Sequence, residues 1–172
     1  DLTPFEVAQM YNTLASGGLR MPLNAVRAVV DEDGTVLDRH TLEIEHAAST
    51  EAVYALNQAL VLAMERGTGR TARAALPHGL TVAGKTGTSD GFRDSWFAGF
   101  TDDQLVVTWI GADDNRPTGL SGATGAARIW ARLIGELEGD PFSPQPPAML
   151  ASYWIDYRTG AATRERCPDA VL

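Results

Sequence analysis

Apolar residues recur at helical spacing in three parts of the chain. The first stripe runs from Val7 to Leu14 and follows a capping box, in which Thr3 and Glu6 stand three positions apart. Pro4 occupies the first helical position, and the glycines at 17–18 end the run. This pattern predicts a helix that begins within the first few residues.

Two further helices are predicted later in the chain. Ser49 can cap a helix with a single apolar face, formed by Val53, Leu56, Leu60 and Met64. A third helix begins at Ala126, and its apolar stripe is wide enough to cover a sheet. That stripe consists of Ile129, Trp130, Leu133, Ile134 and Leu137.

Runs of β-branched and aromatic residues predict the strands. Asp33 and Gly34 lie between two such runs and predict a hairpin turn. Three more runs, at 80–84, 94–100 and 104–112, are joined by short connections that suit antiparallel neighbours. The expected fold class is therefore α+β, with an antiparallel β-sheet flanked by helices.

The segment after the third helix is rich in proline. We expect residues 1–140 to form one folded portion of a domain. Residues 141–172 are expected to form a proline-rich linker and a small β extension, with a turn at Thr159 and Gly160.

Composition excludes several classes of protein. Of the 172 residues, 44% are hydrophobic and 21% are charged, which is typical of a folded domain. The net charge is -8 and the arginines are scattered, so no nucleic-acid partner is expected. The longest nearly apolar run, 105–112, is much shorter than the roughly 20 residues of a membrane helix, so any anchor is expected outside this sequence.

Metal and disulfide chemistry are also not expected. His40, His46 and His78 share no ligand spacing. The single Cys167 excludes an internal disulfide, and the sequence leaves its partner open. We therefore predict neither a metal site nor a cofactor.

The stretch HGLTVAGKTGTSDG, residues 78–91, contains two overlapping signatures that share one lysine. Residues 79–86 fit GxxxxGKT, the phosphate-binding loop of nucleotide hydrolases. Such a loop needs a glycine-rich turn followed by a helix, whereas 80–83 favours an extended chain and 87–91 disfavours a helix. Nucleotide binding is therefore kept as an alternative, and a non-catalytic structural module is another.

The second signature is KTGT, residues 85–88, which occurs in enzymes that acylate a serine with penicillin or a peptide. A strand with an accessible edge suits this chemistry, because an extended ligand can pair with it. Lys85 would supply a cation, and the hydroxyls of Thr86 and Thr88 can hold a carboxylate. Strand alternation points Lys85 and Thr86 to opposite faces, so both can serve one site only on a twisted or edge strand.

Three passages together resemble the transpeptidase domain of class A penicillin-binding proteins. They are LTPFEVAQMYNTLASGG, GRTARAAL and VAGKTGTSDGFRDSWFAGFTDDQLVVTWIGADDNRPTGLSGATGAARIW. The part WIGADDNRPTGLSGATGA is most similar to the 1B branch. The GTGR sequence at 67–70 resembles the loop that leads to the KTG strand, where it either borders the substrate cleft or simply ends a helix.

This resemblance implies a serine β-lactamase and penicillin-binding transpeptidase-like fold within a bifunctional cell-wall synthase. Such enzymes polymerise glycan strands with one domain and cross-link peptidoglycan stem peptides with another, through a serine acyl-enzyme that β-lactams trap. It implies a catalytic role for Lys85, substrate contacts for Thr86, Gly87, Thr88 and Ser89, and an oxyanion-hole role for the Thr88 N–H. It also implies the periplasmic face of the bacterial inner membrane, with an N-terminal anchor outside this chain.

Two of the three catalytic motifs of that family are missing here. Lys85 is the only lysine and Val82 stands three positions before it, so there is no SxxK, and none of the seven serines starts an SxN. We therefore expect the C-terminal part of a transpeptidase domain, inactive alone and dependent on an upstream part of that domain. An exposed sheet edge would favour self-association of such a piece.

Overall fold

The first helix of the computed structural model, α1, spans Pro4–Ala15 and begins with the predicted capping box. The Glu6 N–H donates to Thr3 Oγ1 at 3.2 Å, and the Thr3 N–H donates to Glu6 Oε2 at 2.7 Å. These bonds from Thr3 lower the pKa of the Glu6 carboxyl, because they favour its charged form. The structure describes residues 2–151, 153–156, 158–163 and 170–171.

Four short strands follow α1 and form two antiparallel pairs. They are β1 (Leu19–Arg20), β2 (Ala28–Val30), β3 (Val36–Arg39) and β4 (Glu45–His46). β1 pairs with β4, and β2 pairs with β3. Gly34 adopts a φ of +82° in the β2–β3 turn, a region that favours glycine, so the predicted hairpin is confirmed.

The second predicted helix, α2, spans Thr50–Glu65, and Ser49 caps it. The residues buried along it are Val53, Asn57, Leu60 and Met64. The prediction that Leu56 lies on the buried face is wrong, since Leu56 is 45% exposed. Asn57 takes the inner position because its side-chain amide donates to the Leu14 carbonyl at 2.9 Å. A short helix, α3 (Arg70–Arg73), follows.

The predicted three-stranded meander forms the main sheet. Its strands are β5 (Ala83–Thr88), β6 (Ser95–Phe100) and β7 (Leu105–Ile110), in that spatial order and antiparallel throughout. Lys85 pairs with Ala98, which pairs with Val107. β5 starts later than its sequence run suggested and includes the whole KTGT motif. The chain after Lys85 therefore continues as a strand, whereas a phosphate-binding loop needs a helix there.

Helix α4 (Ala126–Leu137) covers one face of this sheet. The Trp130 ring lies 4.7 Å from the Phe97 ring, and its indole N–H donates to the Gly99 carbonyl at 3.2 Å. Only Trp130 and Ile134 of the predicted stripe are fully buried. The other buried residues of the helix are the small Ala126, Ala127 and Ala131. Because they are small, the helix can approach the sheet closely. The prediction was wrong for Ile129, Leu133 and Leu137, which are 52%, 41% and 43% exposed.

Helix α1 lies against the opposite face of the sheet. The Tyr11 ring packs edge-on against Phe100 at 6.4 Å, and burial raises the pKa of the Tyr11 hydroxyl. Phe142, from the proline-rich segment, packs edge-on against the same ring at 4.9 Å. Its N–H donates to the Thr81 carbonyl at 2.9 Å, so this segment is fixed to the body of the protein. Helices on both faces of an antiparallel sheet confirm the α+β class.

A separate small sheet lies at the end of the chain. It comprises β8 (Trp154–Asp156), β9 (Ala162–Thr163) and β10 (Ala170–Val171), with β8 in the centre. β8 and β9 form the hairpin predicted around Thr159 and Gly160. Cys167, whose partner the sequence left open, lies outside the described residues.

Candidate active site

The KTGT strand lies at an edge of the main sheet. Among the described strands, β5 pairs only with β6, so its other side is open to pairing. Gly87 is covered closely by the loop before α4. A Cβ atom on Gly122 would stand 2.5 Å from the Gly87 carbonyl oxygen and 2.9 Å from the Gly87 nitrogen. Glycine at position 122 is therefore needed for this approach of two backbones, whereas a Cβ on Gly87 would instead stand 3.1 Å from the Trp96 Cβ.

The Lys85 side chain bends around this edge. Its position in the strand directs it to the α1 face, as its pairing with Ala98 requires. Its ammonium group nevertheless donates to the Thr86 carbonyl at 2.9 Å and lies 3.3 Å from Thr86 Oγ1. The edge position therefore brings both side chains to one place, although alternation separates them at the backbone.

A third polar side chain, Thr68, joins this pair from the turn between α2 and α3. Thr68 Oγ1 lies 2.5 Å from Thr86 Oγ1 and 3.4 Å from Lys85 Nζ. The turn packs tightly on the end of α2, because a Cβ on Gly69 would stand 2.5 Å from Met64 Sδ. Thr68 was not predicted as a site residue, but the GTGR match was the sequence signal that pointed to this turn.

The hydroxyls of Thr88 and Ser89 have other partners. Thr88 Oγ1 accepts a hydrogen bond from the Gly122 N–H at 2.8 Å, and the Thr88 hydroxyl proton is not used in that bond. Ser89 Oγ donates to Asp94 Oδ2 at 2.8 Å and accepts from the Asp94 N–H at 2.7 Å. Ser89 thus fixes the turn after β5 rather than joining the cluster of Lys85, Thr86 and Thr68.

The loop that holds Thr88 is itself anchored to the sheet. The buried Ser95 hydroxyl donates to the Ser121 carbonyl at 2.8 Å and accepts from the Ala126 N–H at 2.9 Å. Ser95 lies opposite Thr88 on the neighbouring strand. These two bonds connect the start of α4 to β6, the strand that pairs with the KTGT strand.

A groove of about 850 Å³ runs beside the cluster, between α1 and the sheet. Its walls are more apolar than polar, and Lys85 and Thr86 are among the residues that line it. The lining includes Leu2, Val7, Tyr11, Trp96 and Trp109. The arrangement combines an open strand edge, a cation, hydroxyl donors and an apolar cleft, which together suit an extended ligand with an anionic end.

The fold and this strand edge define a transpeptidase-like domain. Residues 1–134 match the family described as penicillin binding protein transpeptidase domain. The chain is 42% identical over 157 residues to penicillin-binding protein 1B of Escherichia coli (strain K12), and 41% identical over 133 residues to that of Vibrio cholerae. The chain belongs to the penicillin-binding protein transpeptidase family.

Solved structures agree on the fold. Penicillin-binding protein 1A of Haemophilus influenzae matches 95% of this chain with a TM-score of 0.83 at 21% identity. The D,D-transpeptidase domain of a peptidoglycan glycosyltransferase from Eggerthella lenta matches 79% with a TM-score of 0.61 at 28% identity.

The chain spans less than a fifth of the length of the two penicillin-binding protein 1B relatives. The match to the Escherichia coli relative covers 91% of this chain but 18% of that protein, and the Vibrio cholerae match covers 77% and 17%. Within the described ranges, no helix is both long and apolar enough to cross a membrane.

Proposed function

We propose that this chain is the C-terminal part of the transpeptidase domain of a bifunctional class A penicillin-binding protein. That enzyme cross-links peptidoglycan stem peptides through a serine acyl-enzyme and binds β-lactams. The observation that carries the proposal is the convergence of the Lys85 ammonium and the Thr86 hydroxyl, 3.3 Å apart, on an open strand edge.

The strand edge explains how a ligand would bind. An extended stem peptide or a β-lactam adds to β5 by backbone hydrogen bonds, and its carboxylate meets Lys85 and Thr86. Gly87 contributes the close approach of the backbone, and Thr88 contributes its N–H to the oxyanion hole and its hydroxyl proton to the ligand. Ser89 acts by fixing the turn that ends the strand. The lysine raises the rate by stabilising negative charge near the reacting carbonyl.

The nucleophile of this site lies in a part of the protein upstream of the chain. The missing SxxK and SxN support this part of the proposal, as does the coverage of only 18% of the Escherichia coli relative. The uncovered apolar face of α4, formed by Ile129, Leu133 and Leu137, is in keeping with a further part that packs against this one. The chain alone is inactive and prone to self-association. The complete protein acts at the periplasmic face of the inner membrane, held by an anchor outside this chain.

A fluorescent penicillin tests this proposal. The complete protein that contains this chain should be labelled, and the Lys85→Ala variant should lose most of that labelling, roughly a hundredfold in rate. Arg128→Ala is the matched control, because Arg128 is an exposed cation on α4. If the Lys85→Ala variant is still labelled at the rate of the unaltered protein, the chain takes no part in catalysis and the alternative of a non-catalytic structural module is correct. Labelling of the 172-residue chain alone would contradict the proposal that the nucleophile lies outside this chain.

Calorimetry with ATP and magnesium tests the nucleotide alternative. We expect no binding heat, since Lys85 lies within a strand that continues to Thr88. Binding that Lys85→Ala abolishes would overturn the transpeptidase proposal.

A further inference from the structure

The three polar groups at the edge of β5 form a closed triangle. The Thr68 and Thr86 hydroxyl oxygens are 2.5 Å apart, and Lys85 Nζ lies 3.4 Å and 3.3 Å from them. Thr68 is 18 positions from Thr86 in the chain and reaches it only because the turn after α2 packs beside β5. The triangle is thus a product of the tertiary fold.

A count of protons shows what this triangle offers to a ligand. An ammonium group has three N–H donors and no acceptor, and each hydroxyl has one donor and two acceptor positions. Lys85 directs one N–H to the Thr86 carbonyl, and both hydroxyl oxygens lie within its reach as acceptors. The bond between the two hydroxyls uses one of their two protons. One O–H therefore remains to point outward beside the cation, and it is the Thr86 O–H when Thr68 donates the bond between the two hydroxyls.

An outward O–H beside an ammonium group matches a carboxylate, which only accepts hydrogen bonds. Without the Thr68 hydroxyl, Thr86 loses the neighbour that fixes its proton, and Lys85 loses one of its acceptors. We propose that Thr68 is a positioning residue that orients the Thr86 hydroxyl and the Lys85 ammonium for the carboxylate of the ligand. The inference rests on the proposed function of this same site.

The position allows a clean substitution. The Thr68 side chain is exposed, so its methyl group fills no cavity whose loss would destabilise the fold. Thr68→Val keeps the shape and removes the hydroxyl, and Thr68→Ser keeps the hydroxyl and removes the methyl. The two variants separate the hydrogen bond from the volume of the side chain.

The experiment measures acylation of the complete protein by benzylpenicillin and by its methyl ester, which lacks the anionic carboxylate. For Thr68→Val, we expect the second-order rate constant with benzylpenicillin to fall roughly tenfold, about the value of one hydrogen bond to a charged group. The rate constant with the ester should change less than about twofold. Thr68→Ser should retain rates close to those of the unaltered protein with both compounds.

Two results would overturn the positioning role of Thr68 without contradicting the proposed function. One is an unchanged benzylpenicillin rate in Thr68→Val, and the other is an equal loss with both compounds, which indicates a general disturbance. In either case the Lys85→Ala variant still reports on the proposed function. Absence of acylation in the unaltered protein would overturn the proposed function and this inference with it.

Discussion

The contact between Gly122 and Gly87 gives the most direct test of how the site is built. In Gly122→Ala, the new Cβ would stand 2.5 Å from the Gly87 carbonyl oxygen and 2.6 Å from the Trp96 carbonyl oxygen. Both neighbours are backbone atoms of paired strands, so neither can move without disturbing the sheet. The loop before α4 must therefore lift off β5.

Two costs add to give the size of the effect. Overpacking at a close contact costs about 1–3 kcal/mol, and the lost bond from the Gly122 N–H to Thr88 Oγ1 costs about 1 kcal/mol more. We expect the free energy of unfolding to fall by about 2–4 kcal/mol. Acylation should also be slower, because Thr88 loses its hydrogen bond from the Gly122 N–H. In a domain of this size, each kcal/mol lowers the melting temperature by about 2–4 °C.

Gly135→Ala is the matched control for this measurement. Gly135 lies within α4, and a Cβ there would meet no atom within 4 Å. The same substitution should therefore stabilise the protein by about 0.5–1 kcal/mol, through helix propensity alone. Thermal unfolding of the transpeptidase domain in the complete protein compares the two variants. A Gly122→Ala variant that melts within about a degree of the unaltered protein would refute this account of the contact.

Two further substitutions test the core and the first helix. Trp130→Ala removes a fully buried ring and its hydrogen bond to Gly99, so denaturant unfolding should show a loss of about 3–5 kcal/mol; a loss below about 1 kcal/mol would show that α4 does not anchor the sheet. Glu6→Gln removes a carboxylate whose pKa is lowered by the hydrogen bonds from Thr3. The stability that this carboxylate contributes is fully present above its ordinary pKa of 4.5 and disappears as the pH falls through the lowered pKa. The melting temperatures of the Glu6→Gln variant and the unaltered protein should thus converge on acidification, and a difference that grows there would contradict the capping role.

The sequence predicted the elements more reliably than their buried faces. In α4, periodicity identified an apolar side of the helix. It could not show that the sheet packs against the small residues Ala127 and Ala131 at the border of that side, while Leu133 stays exposed. In α2, hydrophobicity favoured Leu56, whereas the inner position belongs to Asn57, whose amide has a backbone partner in α1. Such choices depend on what packs against a helix, and a single sequence does not contain that information locally.

The same limit applies to the site. Lys85 and Thr86 are adjacent in sequence, so a short motif was enough to propose them together. Thr68 and Gly122 stand 18 and 34 positions from their partners Thr86 and Thr88, so only the fold brings these groups into contact. The GTGR match marked the first turn, but no residue pattern indicated that its threonine would face the lysine.

The two threonines of the KTGT motif are supported by different parts of the protein. Both lie on the α4 face of β5, opposite Phe97 and Ser95, and strand geometry places them one pleat apart. Thr86 is fixed from the side of α2 through Thr68, while Thr88 is fixed from the side of α4 through Gly122. A strand at the edge of a sheet has hydrogen-bonded neighbours on one side only, and it would otherwise be the least constrained strand of the three. The turn after α2 and the loop before α4 replace the missing constraint while the edge itself stays open, so the strand can be rigid and still accept a ligand.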